Sequence, residues 1–237
     1  MDNAFMTPVQ PIRIKHGFFE IIDSDTIATL TFFFNGRCII QYADGTCNTI
    51  NVDVDTYNDQ FGVPVTEDGK TMFVGYWYKK KGLIAIDTDT GNVKWQSHIN
   101  KVKKIYVYPG CIIAARYNNG LMKFDSETGE LLASFKSSTL MFTHWLNERL
   151  LLLDSGYGRL CIVDTNSMQT VKKYNDATVN PNDCHSIAIQ KVYTKNNELH
   201  ICGLEAYPNG QFIDSNGNRT NADSKFDRII DDNWTSL

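Results

Sequence analysis

Apolar and polar residues along this chain follow the short rhythm of β-strands. GLIAID (82–87) and RLCIVD (159–164) are brief apolar runs with β-branched residues, the composition of a strand buried on both faces. NVKW (92–95), ELLASF (130–135) and TVKKY (170–174) alternate apolar with polar positions, as a half-exposed outer strand does. Upstream lie further apolar, aromatic runs: TMFVGYWY (71–78), CIIAARY (111–117), RLLLLDS (149–155) and ELHICGLEAY (198–207). Before three of these comes another strand, KKIYVY (103–108), LMFTHWL (140–146) or HSIAIQKVY (185–193). No window carries a sustained i, i+3, i+4 apolar stripe, so helix is expected to be nearly absent.

The runs recur. Segments opening on Gly82, Gly120, Gly158 and Gly210 each lead through a short apolar run to an aspartate; their glycines are separated by 38, 38 and 52 residues. A degenerate fifth copy opens on Gly36. A period near 40 residues with four strands per unit is that of one propeller blade. Asp87 and Asp125 are placed to accept hydrogen bonds from backbone amides two residues on, while Gly91 and Gly129 suit positive φ. The expected fold is therefore all-β: a small β-propeller of about five four-stranded antiparallel blades, at 18–55, 60–98, 101–136, 139–175 and 184–223, in a single domain over 1–237. Six blades would require RIKHGFF (13–19) and FDRIIDDNW (226–234) to build one more together. A propeller must close its ring, and 13–19 with 226–230 are the expected closing pieces.

LIAIDTDTGNVKW and LMKFDSETGELLASF resemble the repeat of the pyrroloquinoline-quinone-like β-propellers. Ala85, Asp87, Thr90, Gly91 and Trp95 match that pattern; in the next copy Asp125, Thr128 and Gly129 match, with Ala133 in place of the tryptophan. The following copy keeps Asp164 and has Met168 where the glycine belongs. The match is good over roughly 70–175. The resemblance implies a structural role for the Asp–Thr–Gly turn and the tryptophan, which lock the outer strands and dock one blade on the next. It implies no quinone, because the calcium site, the adjacent cysteines and the length of the quinoprotein dehydrogenases are missing; no cofactor is expected.

Composition narrows the function. A net charge of −4 and a pI near 5.7 argue against non-specific nucleic-acid binding. The N-terminal residues show no charged segment leading into an apolar one, and no apolar stretch reaches the roughly 18 residues of a membrane span, so the expectation is a cytoplasmic protein with no membrane partner. Cys38, Cys111, Cys161 and Cys202 lie in strand-like runs as reduced apolar thiols. Cys184-His185 and His200-x-Cys202 lack zinc-site spacing, and Asp23, Asp25, Asp53 and Asp55 lack the glycine and distal glutamate of a calcium loop, so no metal is expected. No nucleophile motif occurs, and most of the 27 acidic residues sit at turns; no catalytic residue is assigned.

What remains is a binding surface. The loops between the second and third strands of the blades carry Tyr78, Lys79, Lys80 and Lys81, then Arg116 and Tyr117, then Tyr157, then Tyr207. Tyrosine and arginine in loops supply contact area with a polar handle, and the lysine run would steer an acidic partner. These eight residues are the candidate partner-binding set, for a protein partner met by a propeller that is monomeric when free. In architecture and size the chain resembles the immunity proteins encoded beside bacterial polymorphic toxins, which implies a cognate toxin occluded by binding. A scaffold or sensor subunit, and a small carbohydrate-active propeller enzyme with a funnel of carboxylates, are the alternatives.

Overall fold

The computed structural model describes residues 12–14, 17–21, 25–33, 36–52, 63–77, 82–156, 158–179, 186–206, 212–213, 219–220 and 224–234. The described residues pack as two compact units, one within Pro8–Ser138 and one within Thr139–Leu237.

The unit within Pro8–Ser138 holds three antiparallel sheets. The first is a five-stranded meander of β1 (Ile12–Ile14), β2 (Gly17–Ile21), β3 (Ile27–Phe33), β4 (Arg37–Tyr42) and β5 (Cys47–Asn51). The second is β6 (Thr71–Gly75), β7 (Leu83–Asp87) and β8 (Val93–Ser97), with a single bridge from Val65 to Met72 where a fourth strand would lie. The third is a complete blade of β9 (Val102–Tyr108), β10 (Cys111–Arg116), β11 (Gly120–Asp125) and β12 (Leu131–Phe135). β6 shows why its sequence is apolar at successive positions. Met72 and Val74 pack with Ile27, Leu30 and Ile40 of the first sheet, while Phe73 packs with Ile112 and Phe124 of the third. A strand sandwiched between two sheets must be apolar on both faces.

The unit within Thr139–Leu237 has a second complete blade, β13 (Phe142–Trp145), β14 (Leu150–Asp154), β15 (Leu160–Asp164) and β16 (Gln169–Tyr174), followed by one helical turn, α1 (Asp176–Val179). Next come β17 (Ser186–Lys195), β18 (Glu198–Ala206), a short hairpin of β19 (Phe212–Ile213) and β20 (Arg219–Thr220), and β21 (Ser224–Asp231). Leu150, Leu152 and Ile162 meet Leu199, Ile201, Phe226 and Ile230 in one core. A buried polar knot joins the two sheets: the Tyr174 hydroxyl donates to Asp231 at 2.7 Å and Lys172 pairs with the same carboxylate at 2.6 Å. Burial alone would raise Asp231, but the bonds from Lys172, Tyr174 and the Asn233 amide outweigh it and hold the carboxyl below its ordinary value. Arg228 pairs with the buried Glu205 and donates to the Val179 carbonyl at 2.7 Å.

The repeat turns are built as their residues suggest. Asp87 accepts bonds from the Asp89 and Thr90 amides at 3.1 and 2.8 Å and from the Thr90 hydroxyl at 2.8 Å; Asp125 does the same with Glu127 and Thr128. Gly129, at φ +72°, lies under the Trp95 ring, so that a Cβ there would sit 2.6 Å from it, and Trp95 Nε1 donates to the Ser126 carbonyl at 2.9 Å. One blade is thereby docked on the turn of the next.

One expectation needs correction, and the end segments pair within their own sheets. Residues 13–19 supply parts of β1 and β2, and β1 pairs with β2, and β2 with β3, inside the first sheet. Residues 226–230 belong to β21, which pairs with β18. Among the described residues, the last unit of the repeat does not supply four paired strands within 184–223: Phe212–Ile213 pairs with Arg219–Thr220, and β18 takes β21 as its partner. The reason is burial. FDRIID alternates so that Phe226 and Ile230 enter the core beside Leu199 and Ile201 of β18.

Candidate binding surface on the loop rim

Within the unit Pro8–Ser138 the antiparallel order sends one set of strand ends to each rim. One rim carries the loops before β4, between β6 and β7, between β8 and β9, and between β10 and β11. The other carries the Asp–Thr–Gly turns and the tight loop between β9 and β10.

Three segments of the first rim are tied together through their backbones. The Lys101 amide donates to the Trp77 carbonyl at 2.8 Å, and the Tyr117 amide donates to the Lys101 carbonyl at 2.9 Å. Lys101 and Asn118 adopt φ of 55° and 53°, so these loops turn sharply without glycine. Asn119 closes the Tyr117 turn, its amide donating to the Arg116 carbonyl and its side chain to the Tyr117 carbonyl. Gly120 follows at φ +84° with the Phe135 carbonyl against it, where a Cβ would lie only 1.9 Å away. No residue with a side chain fits there.

On this scaffold Trp77 and Tyr117 meet with ring centroids 5.5 Å apart and planes tilted by 37°. Lys103 sits over the Tyr117 ring at 5.6 Å, a cation–π contact. Trp77, Lys103 and Tyr117 are half-buried, each presenting part of its surface to solvent. Arg116 faces inward. Its Nε donates to the Asn100 carbonyl at 2.9 Å, Nη2 to the Asn100 side chain at 2.6 Å and Nη1 to the Met122 sulfur at 3.2 Å. Burial lowers the guanidinium from its ordinary value, though an arginine stays charged. Arg116 thus positions the Tyr117 loop, while Tyr117 offers the contact.

Tyr78, Lys79, Lys80, Lys81, Tyr157 and Tyr207 lie outside the described residues. Trp77 and Lys103 were not among the residues singled out from sequence. Trp77 lies where a strand-like run passes into the loop 76–82, and Lys103 lies on β9; tertiary pairing brings both to Tyr117.

The charges of this unit are sorted by rim. Arg37, Lys101, Lys103, Arg116 and Lys136 lie at the loop rim, and no described carboxylate accompanies them there. Asp25, Asp44, Glu67, Asp68, Asp87, Asp89, Asp125, Glu127 and Glu130 lie at the turn rim with Lys70 and Lys94. The turn acids are held ionised. Hydrogen bonds from Thr46, Thr66, Thr90 and Thr128 keep Asp44, Asp68, Asp87 and Asp125 below the usual carboxylate range. A cleft of about 820 Å³ at the turn rim is lined by Asp25, Glu67, Asp68, Tyr108 and Glu127 among others. Asp164 and Asp231 are likewise held below the ordinary carboxylate value by their hydrogen bonds and cation partners, and no group of described His, Cys, Asp and Glu has the arrangement of a metal site. His200 accepts other work, lying against Glu198 at 3.2 Å and stacked on Tyr193 at 4.7 Å, while Cys184 and His185 lie outside the described residues.

No protein-family model matches the sequence, and no characterised protein matches it at the level of sequence. Solved structures do match. BamB from Moraxella catarrhalis superposes with a TM-score of 0.56 at 14% identity, over 90% of this chain and 66% of that one. The Swd1 (Cps50) β-propeller domain of Myceliophteria thermophila gives 0.53 at 12% identity, over 93% of this chain and 74% of that one. The chain spans about two thirds of the length of BamB. The fold is a β-propeller, built from antiparallel blade-like sheets of which two have the full four strands.

Proposed function

We propose that this chain is a non-catalytic, protein-binding propeller, and that it acts in the cytoplasm as an immunity protein, neutralising a cognate bacterial toxin by occluding it. The observation that carries the reading is the Trp77–Tyr117 pair, held by a backbone-bonded loop scaffold and flanked by cations with no described carboxylate beside them. Partly exposed aromatic residues on a rigid base are the anchors that dominate binding energy, and a one-sign surround steers a partner of opposite charge. A permanent subunit contact would present a larger and more apolar surface than this mixed rim. A carboxylate funnel for glycoside chemistry needs a raised acid, whereas Asp44, Asp68, Asp87, Asp125, Asp164 and Asp231 are each lowered by their hydrogen bonds. Tyr78, Lys79, Lys80, Lys81, Tyr157 and Tyr207 belong to the proposed partner-binding set with Arg116 and Tyr117 on the ground of sequence alone.

The test is affinity capture from the native host with the wild-type chain and with a Trp77→Ala, Tyr117→Ala variant, followed by titration of the captured protein. The variant is expected to bind at least about tenfold more weakly, as loss of one or two hot-spot aromatics does, with an unchanged melting temperature. Arg116→Ala is expected to lower the melting temperature as well, because it removes the bonds to Asn100. Equal binding by the wild type and the aromatic variant would move the interface off this rim. Capture of a toxin whose activity is suppressed by the wild type alone supports the immunity reading.

A further inference from the structure

Every outer strand of a blade exposes a row of unpaired backbone groups, and proteins protect such edges with charge, proline or bulges. Three outer strands here share one device. β8, β12 and β16 each carry a one-residue bulge at the same place in the repeat, where the partner strand skips Lys94, Leu132 and Val171 respectively. The bulge alone therefore does not distinguish them; the residues do. β8 places Lys94 at the bulge, paired with Glu127 at 2.7 Å, and β16 follows its bulge with Lys172 and Lys173. β12 reads LLASF and has no charge and no proline. The bulge turns Leu131 and Leu132 both outward, and each is 50% exposed. Among the described residues β12 is paired on one side only, by β11.

The flanks of β12 say what covers it. Glu130 precedes the strand and Lys136 follows it; both are exposed, and among the described residues neither side chain makes an ion pair. The seven residues 130–136, ELLASFK, are complementary to themselves when run antiparallel about Ala133. In that alignment each Glu130 lies opposite the other copy's Lys136, each Leu131 opposite Phe135, and each Leu132 opposite Ser134. Such an isologous two-fold contact uses one patch twice, and it joins apolar and opposite-charge cross-strand pairs. We infer that β12 is a self-pairing edge, and that two copies of this chain associate antiparallel along 130–136. This departs from the free monomer expected from sequence. A five-residue edge with two exposed leucines makes a small interface, so the dimer is weak and concentration-dependent. Trp77 and Tyr117 take no part in it, although Lys136 lies at the end of β12 that reaches the loop rim.

Sedimentation equilibrium over a wide range of protein concentrations tests it. The wild type is expected to dimerise, and Leu132→Lys, which gives β12 the lysine that β8 carries, is expected to remain monomeric. A charge swap distinguishes this register from any other contact. Glu130→Lys is expected to weaken the dimer at least about tenfold by setting like charges opposite each other. The double variant Glu130→Lys, Lys136→Glu is expected to restore wild-type association. Both flanking residues are exposed, so circular dichroism is expected to show all variants folded. A wild type that stays monomeric overturns the inference. So does a dimer that is indifferent to Leu132→Lys, or one that the double swap fails to restore.

Discussion

Gly129 and Met168 occupy the same place in two copies of one turn and show how much a single residue decides. Both have positive φ, +72° and +53°, and both follow an aspartate that accepts two backbone amides. Met168 is a bulky residue in a left-handed conformation, at a cost of about 1–2 kcal/mol, and its side chain is buried. Gly129 has no such latitude, since the Trp95 ring fills the space a side chain would need. Gly129→Val is expected to destabilise the protein by about 2–4 kcal/mol, from left-handed strain together with overpacking. Urea unfolding measures it; wild-type stability would show that Trp95 does not press on this turn. Lys104 is the second instructive residue. It lies on β9 over the Tyr106 ring at 5.0 Å, without an ion pair among the described residues, and burial pulls its amine down to about 8. An unfolded lysine titrates near 10.4. Between those values the unfolded chain holds a proton that the folded chain has released, so this residue makes stability rise from about pH 8 to about pH 10.4. Below pH 8 both states are charged and the cost of burying the ammonium is at its full value. Lys104→Met is therefore expected to stabilise the protein at pH 7 by on the order of 2 kcal/mol. That advantage should shrink as the pH is raised to 10; a pH-independent difference between the two proteins would refute it.

At the scale of elements, the hairpins and the outer strands obey different constraints. β10–β11 and β14–β15 pair through turns of a few residues, so pattern and turn chemistry in the sequence are enough to place them. The last sheet is different. β18 pairs with β21 across an intervening connection, and nothing local in FDRIID says which strand it joins. The repeat therefore misplaced the final strand, assigning to 210–213 a role that residues 224–231 fill. Interblade docking lies between these cases. Trp95 reads as structural from the repeat, and the structure shows how: its ring packs with Phe73 and Phe124, its N–H bonds Ser126, and Gly129 makes room for it. In the same row of outer strands, lysines at or just after the bulge separate β8 and β16 from the uncharged β12.

At the scale of the molecule, the charge of −4 conceals a separation. Among the described residues of the unit Pro8–Ser138 the acids gather at the turn rim, where Asp–Thr–Gly turns require carboxylates, while Lys101, Lys103 and Arg116 lie at the loop rim. A partner drawn to the loop rim by this field is expected to associate more slowly as salt is added, since the Debye length falls from about 10 Å at 0.1 M to about 3 Å at 1 M. Stopped-flow association rates at several ionic strengths check this; salt-independent rates would mean that charge does not steer the encounter. The sequence by itself determined the all-β class, the near-40-residue unit and the chemistry of the turns. These follow from period-2 patterning, short connections and residues that bond their own neighbours, all of them local. It also placed Tyr117 in a loop. Tertiary structure alone decided that Arg116 braces that loop, that Trp77 and Lys103 meet Tyr117, and that 226–230 pair with β18 in the last sheet. Each of those depends on contacts between residues far apart in the chain, where pattern carries no register and only the packing of one sheet against another selects the pair.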